Sequence, residues 1–244
     1  MTIAQGETQS LYVEPERPSK QIEWPALAFR DVFKIFRSGP VETVALRGLE
    51  LEVRQRELVA VLGPSGCGKS TMLALAAALD VPSAGEVRIG QKSLGLLDEA
   101  ALAEHRAREI ALVLQRDNLW PALSARETVM ISLRLAGRQA PLVAANEALA
   151  TFGLQGRERQ RAGTLSGGEQ QRVAIAAAAA RRAALVLADE PTGELDAANE
   201  DIVLNAFERL RSEFGSTVVL VTHSPRVAAA ADRVIQMRDG RVQG

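Results

Sequence analysis

The octapeptide Gly63-Pro64-Ser65-Gly66-Cys67-Gly68-Lys69-Ser70 constrains this chain more than any other stretch. It fills every defined position of G-x-x-x-x-G-K-[ST], the pattern of a loop that wraps phosphate groups. Its setting agrees. The apolar run Leu58–Leu62 reads as a short buried strand, and a helix is expected from about Lys69 to Leu79. Gly63, Gly66 and Gly68 let successive backbone N–H groups turn inward, and with a helix N-terminus these make an anion cradle. Lys69 brings positive charge to the outer phosphates, Ser70 offers a hydroxyl to Mg2+, and Thr71 can hydrogen-bond phosphate nearby. Cys67 is the only cysteine, so no disulfide framework is possible within one chain. It is read as a small buried side chain of the loop.

A second apolar run, Leu185–Ala188, ends in Asp189-Glu190. Strand ends in α/β sheets face the ligand crevice. Asp189 can hold Mg2+ directly or through water, and Glu190 is placed to polarise a water aimed at a terminal phosphoryl group. Taken alone, such a pair is as often a helix cap or a solvated edge. The phosphate loop gives it a chemical reading.

Along the rest of the chain, buried strands alternate with helices, which favours a sheet covered on both faces. Strands are expected at 27–33, 41–53 (interrupted near Gly48), 86–89, 110–114, 217–221 and 234–237, the last followed by an Asp239-Gly240 turn and a partner strand. Residues 124–154 read as two helical stretches split by Gly137 and Pro141, and further helices are expected at 102–108, 168–182 and 197–214. Residues 1–22 read as a loose tail with no sustained period. Met1–Lys20 carries no apolar core segment, so no signal peptide is expected. Val173–Ala180, the longest apolar run, is too short to span a membrane. With 244 residues the chain can bury roughly 70–75 % of its unfolded surface without disulfides. A net charge of −1 argues against a dedicated nucleic-acid binder. Lys20, Lys34 and Lys92 are read as ordinary surface or tail groups, and His105 as a solvated helix residue.

The segment Leu165-Ser166-Gly167-Gly168-Glu169-Gln170-Gln171-Arg172 narrows the class. Ser166, Gly167 and Gly168 open a helix with a hydroxyl and bare backbone donors, an anion site in its own right. An N-cap and turn would look the same in isolation. The octapeptide resembles the signature motif of ATP-binding-cassette (ABC) nucleotide-binding domains, and the resemblance covers nearly the whole chain from about residue 27. It implies an α/β P-loop NTPase fold with a RecA-like core, an antiparallel β subdomain and an inserted α-helical subdomain over approximately 116–182. The ATPase domain would span 23–244 behind the flexible tail 1–22. It also implies ATP and Mg2+ as ligands, hydrolysis to ADP and phosphate, and a second ATPase subunit as partner, in a homodimer. In that family the signature of one subunit contacts the nucleotide held by the phosphate loop of the other, so each chain carries two half-sites.

Further roles follow from the resemblance one position at a time. Gln115, after the run 110–114, resembles the glutamine that senses Mg2+, the attacking water and the membrane partner. His223, after 217–221, resembles the histidine that contacts the terminal phosphate. Asp196 resembles the loop residue linking the two active sites. Phe36 resembles the aromatic that stacks on adenine, with Phe33 a competitor. The stretches Leu112–Val129 and Asp189–Asp196 look like the lipoprotein-release and macrolide-export branch. That branch implies an integral membrane subunit, with few spans and a large extracytoplasmic domain, and a cytoplasmic site for this chain on the inner face of the membrane. There are departures. The family commonly has arginine at Ala177, leucine at Ala179 and proline at Ala183. A non-transport ABC ATPase is the alternative; one phosphate loop, one signature and no coiled-coil insertion argue against the translation and repair types, while a cell-division type shares this architecture.

Overall fold

The computed structural model describes residues 24–39, 41–139 and 142–243. The tail expected over 1–22, Lys20 and Pro141 lie outside them. Two sheets carry the molecule. Strands β1 (Leu27–Ser38), β2 (Val41–Val53), β4 (Ala84–Ile89) and β5 (Lys92–Ser93) form an antiparallel sheet in the order β2-β1-β4-β5. Strands β3 (Leu58–Leu62), β6 (Ile110–Val113), β7 (Leu185–Asp189), β8 (Thr217–Thr222), β9 (Arg233–Arg238) and β10 (Arg241–Gln243) form the second, in the order β10-β9-β3-β8-β7-β6. In this second sheet the β9-β3-β8-β7-β6 ladders are all parallel, and β10 adds an antiparallel edge.

The unbroken apolar runs are explained by burial on both faces. Leu185, Leu187, Val219 and Val221 point toward the antiparallel sheet and helix α1 (Lys69–Ala76). Val186, Ala188, Val218 and Leu220 point the other way, into a core completed by α3 (Ala125–Leu135), α4 (Leu142–Thr151), α5 (Gly167–Ala180) and α6 (Ala197–Ser212). Helices α3, α4 and α5 pack on one another, and α5 also packs on β6 and α6. Helix α2 (Glu99–Glu109) and the short α7 (Pro225–Ala229) are the remaining α-helices of the described residues. This is the RecA-like core with a mixed sheet and a flanking helical subdomain.

Several expectations need correction. β1 continues to Ser38, because its end is one arm of an exposed ribbon in which Arg37 and Glu42 pair at 2.9 Å. Gly48 does not interrupt β2. It sits at φ +71 beside a bulge, where a Cβ would come within 3.0 Å of Asp31 and 3.3 Å of the Phe33 ring. Phe33 is thereby committed to packing. Lys34 is no ordinary surface group: its ammonium bonds Asp80 at 2.6 Å and the Val81 carbonyl at 2.9 Å, and lies 5.0 Å from the Phe36 ring. His105 is buried at 5 % exposure rather than solvated, because α2 turns it inward. Helix α1 stops at Ala76, since Ala78 takes φ +54 and closes a tight C-terminal turn. The short β5 and α7 were not anticipated, although Ser224 capping a helix with Pro225 in its first turn is a legible start signal.

The departures in α5 have local accounts. Ala177 and Ala179 are buried. Arg181, one turn after Ala177 and on the same face, sends its guanidinium to the carbonyls of Ala107 and Ile110. Burial pushes that guanidinium down to about 10. At the helix end Arg182 takes φ +52 and Ala183 donates its N–H to Ala178 O at 3.1 Å. That bond closes a Schellman-type cap, and a proline at 183 could not make it.

Candidate functional site

Because β3, β6, β7 and β8 run parallel, the segments that follow them leave the sheet at one edge. Those segments begin at Gly63, Leu114, Glu190 and His223, and they carry the phosphate loop, Gln115, Glu190, Asp196 and His223, with Asp189 closing β7.

The loop after β3 is shaped by contacts that admit only glycine. A Cβ on Gly63 would lie 2.2 Å from the Met237 carbonyl oxygen; one on Gly68 would lie 2.7 Å from that of Ala45, with φ at +104. Helix α1 therefore starts with no side-chain cap, and its first N–H groups are free donors for an anion. Lys69 Nζ arches over the loop to the carbonyls of Gly63 (2.8 Å) and Pro64 (3.0 Å). Cys67 is buried, and its carbonyl accepts a 3.0 Å bond from Gly240 N, which ties the loop to the β9–β10 turn. Pro64, Ser65, Gly66 and Thr71 lie in the same loop and first turn.

Ser70 Oγ donates to Asp189 Oδ2 at 3.1 Å. Burial raises the Asp189 carboxyl above its usual range and Glu190 adds to this, while Ser70 and Lys69 oppose it. No group of three or more His, Cys, Asp or Glu able to hold a metal occurs among the described residues. One hydroxyl and one carboxylate suit Mg2+, which keeps several waters and takes phosphate oxygens to complete its shell. Glu190 adopts φ +45, a costly conformation for a non-glycine residue, and its N–H is held by Val221 O at 2.9 Å. Its Oε2 lies 2.9 Å from His223 Nδ1 and accepts from His223 N at 3.3 Å.

Gln115 meets residues that the sequence reading passed over. Its side-chain nitrogen donates to Glu194 Oε1 at 3.5 Å, and Arg116 also pairs with that carboxylate. A Cβ on Gly193 would come within 3.0 Å of Gln115 Nε2, so this glycine gives the side chain room. Gln171, in α5, donates to the backbone carbonyls of Leu114 (2.7 Å) and Gln115 (3.1 Å). A glutamine amide at an i+5 position from Ser166 carries no sequence signal of such a role.

The signature residues form a second cluster. Ser166 caps α5 in a capping box with Glu169, whose carboxyl is held low chiefly by the Ser166 N–H. Gly167 and Gly168 lie against the start of α6: a Cβ on Gly168 would meet Asn199 Oδ1 at 3.1 Å, and one on Gly167 would meet Leu195 at 3.4 Å. Asp196 caps α6 through Asn199 N at 2.8 Å. The fold thus gathers Ser166, Gly167, Gly168 and Asp196 together. Among the described residues, no side-chain hydrogen bond joins this cluster to the phosphate loop. Phe36 stands 44 % exposed on β1, paired with Thr43.

The raised Asp189 carboxyl has a testable sign. A folded-state value above the unfolded one adds stability at low pH, and this is lost as pH rises through the folded value. In metal-free buffer, Asp189→Asn should raise the urea midpoint at pH 7.5, and the gain should vanish near pH 3. An unchanged or lowered midpoint at pH 7.5 would contradict the burial account.

Comparison with known proteins agrees with this geometry. The ABC transporter family profile matches residues 46–193. The lipoprotein-releasing system ATP-binding protein LolD of Chromohalobacter salexigens is 44 % identical over 211 residues, covering 86 % of this chain and 89 % of that protein. The macrolide export ATP-binding/permease protein MacB of Escherichia coli is 38 % identical over 220 residues, 89 % of this chain but 34 % of that longer protein. A dimeric structure of the ATP-binding cassette MJ0796 in a post-hydrolysis state, bound to ADP and Pi, superposes with a TM-score of 0.82 at 37 % identity, covering 89 % of this chain and 97 % of that one. The chain belongs to the ABC transporter family, as an ATP-binding and ATP-hydrolysing subunit.

Proposed function

We propose that this chain is the motor of a transporter in which two ATP molecules are closed between two copies of the chain, and that closure drives a separate membrane subunit. The observation that carries the reading is the convergence of Lys69, Ser70, Asp189, Glu190 and His223 on one sheet edge, with Ser70–Asp189 at 3.1 Å and Glu190–His223 at 2.9 Å. The loop from Gly63 to Thr71 holds the ATP phosphates through the N–H groups of its residues other than Pro64, and Lys69 moves from its carbonyl partners to the outer phosphates. Phe36 stacks on the adenine. Mg2+, held through Ser70, Asp189 and Gln115, would neutralise charge on the outer phosphates. Glu190 orients a water for in-line attack on the terminal phosphorus, and His223 holds Glu190 and reaches the terminal phosphate. The bond to the leaving ADP oxygen breaks as the water oxygen bonds phosphorus, giving ADP and phosphate. Ser166, Gly167 and Gly168 close over the ATP of the other copy, with Asp196 beside them at the interface. Residues 116–182 form the arm that carries the signature.

The membrane subunit docks on a cleft of about 300 Å³ between the segment after β6 and helices α3 and α5. Leu112, Asn118, Leu123, Ile131, Ala174 and Ala177 line it. Trp120 and Leu135, 66 % and 67 % exposed, stand at its wall. Exposed apolar groups around a cleft mark an interaction surface. Among the described residues no helix is long and apolar enough to cross a membrane. The similarity to LolD and MacB favours a partner with a large extracytoplasmic domain, and a place for this chain on the cytoplasmic face.

Glu190→Gln should keep ATP affinity within about threefold and lower turnover by about a hundredfold or more, because the phosphate cradle survives while water activation is lost. Full steady-state turnover would refute the role of Glu190. Trp120→Glu should leave the isolated ATPase active and abolish co-purification of the membrane subunit in mild detergent. Undiminished recovery would place the docking surface elsewhere.

A further inference from the structure

Gln171 makes an unusual set of bonds for a helix residue. It is 4 % exposed, on the first turns of α5, five positions after the Ser166 cap. Both of its amide protons go to the segment that follows β6: one to Leu114 O at 2.7 Å, the other to Gln115 O at 3.1 Å. Its oxygen accepts from Asn118 Nδ2 at 3.2 Å. Asn118 in turn clasps Leu114, accepting from Leu114 N at 2.6 Å and donating to Leu114 O at 2.6 Å. The two amides and the backbone of residues 114–115 therefore form one closed ring. The orientation of the Gln171 amide is fixed by its partners, since a flipped amide would face its oxygen at two carbonyl oxygens.

The ring joins two places that the chemistry treats as separate. Gln115 belongs to the nucleotide site of its own chain, while α5 begins with the signature. No helical or strand ladder continues through residues 114–118, so side-chain amides take over the backbone bonding there. Gln171 is buried while Leu114 and Gln115 are exposed, so the ring anchors an exposed segment to the helix through a buried amide, and displacing that segment leaves the Gln171 amide without its partners. Among the described residues no hydrogen bond joins the Gln171 side chain to the phosphate loop or to Asp189 and Glu190, and its bonds go to the backbone of Leu114 and Gln115 and to Asn118.

We propose that Gln171 is a positioning residue: it sets the backbone of Gln115 against the signature helix, so that closure of the signature over the partner's ATP brings Gln115 to its working place in this chain's own site. This rests on the role given to Gln115 above. Helix α5 moving as a rigid body carries Leu114 and Gln115 with it through the ring. The two half-sites of one chain then close together.

A double-mutant cycle on the full chain tests this. Gln171→Met keeps the side-chain size and removes all three bonds, and Asn118→Ala breaks the ring from the loop side while both bonds that Gln171 donates to residues 114 and 115 remain. Each should lower kcat about tenfold while the ATP KM stays within about twofold. Each should also raise the Mg2+ concentration needed for half-maximal activity. In nucleotide-free and metal-free protein, amide hydrogen exchange should quicken at residues 114–118 and stay unchanged at 63–71. In a Gln115→Ala background neither change should lower kcat further. Additive losses, or an unchanged exchange pattern with wild-type kcat, would overturn the proposal. If Gln171→Met does not fold, the Asn118→Ala cycle decides by the same criteria. Gln115→Ala alone separates the two ideas: full activity there sinks the Gln115 role, whereas a large loss with additive double variants sinks only the coupling.

Discussion

The register of the parallel sheet sets Leu62 beside Thr222 and Asp189 beside Val221. Three neighbouring strands thus end within about one residue of each other, and the chemistry depends on that alignment. A slip of one position would turn Asp189 and the apolar residues before it to the opposite faces. The slip is resisted because both faces are buried, with Leu187 and Val219 packed toward the antiparallel sheet and Val186 and Leu220 toward the helices. The apolar core is thus what brings Ser70 to Asp189 and Glu190 to His223. Parallel connection does the rest, since each crossover returns the chain to start again and every following loop opens at the same edge.

Much of this was legible in the sequence because it obeys local rules. The phosphate loop needs glycine where Met237 and Ala45 crowd the backbone, and lysine and serine follow as chemistry requires. Strands such as Val218–Val221 announce themselves by unbroken apolar character. What escaped the sequence is what only packing decides. His105 sits in a polar helix, and only the fold turns it inward. Lys34 finds Asp80 across 46 positions of chain. Glu194 and Gln171 are ordinary polar residues until the fold sets them against Gln115, by contacts spanning 79 and 56 positions. Periodicity reports burial along one element. It carries no information about which two elements will share a side-chain bond.

The alanine-rich α5 shows how a local departure is absorbed. Small residues stand at 177 and 179, with Ala177 at the wall of the cleft, and Arg181 reaches back to two carbonyls at the junction of α2 and β6. The same helix is capped by Ser166 in the signature segment and bonded through Gln171 to the backbone of Gln115. The helix thus carries the signature at its start, is bonded to the Gln115 backbone, and lines the cleft between α3 and the segment after β6. A single chain presents the phosphate loop at one place and the signature cluster at another, so under the proposed function ATP must join two chains.

Sedimentation equilibrium of Glu190→Gln with ATP and Mg2+ tests that claim most directly. The account predicts a species of twice the 26.2 kDa chain mass with ATP, a single-chain species with ADP, and loss of the ATP-dependent dimer when Ser166→Arg is added. A protein that binds ATP fully yet keeps the single-chain mass, or a dimer indifferent to Ser166→Arg, would contradict it.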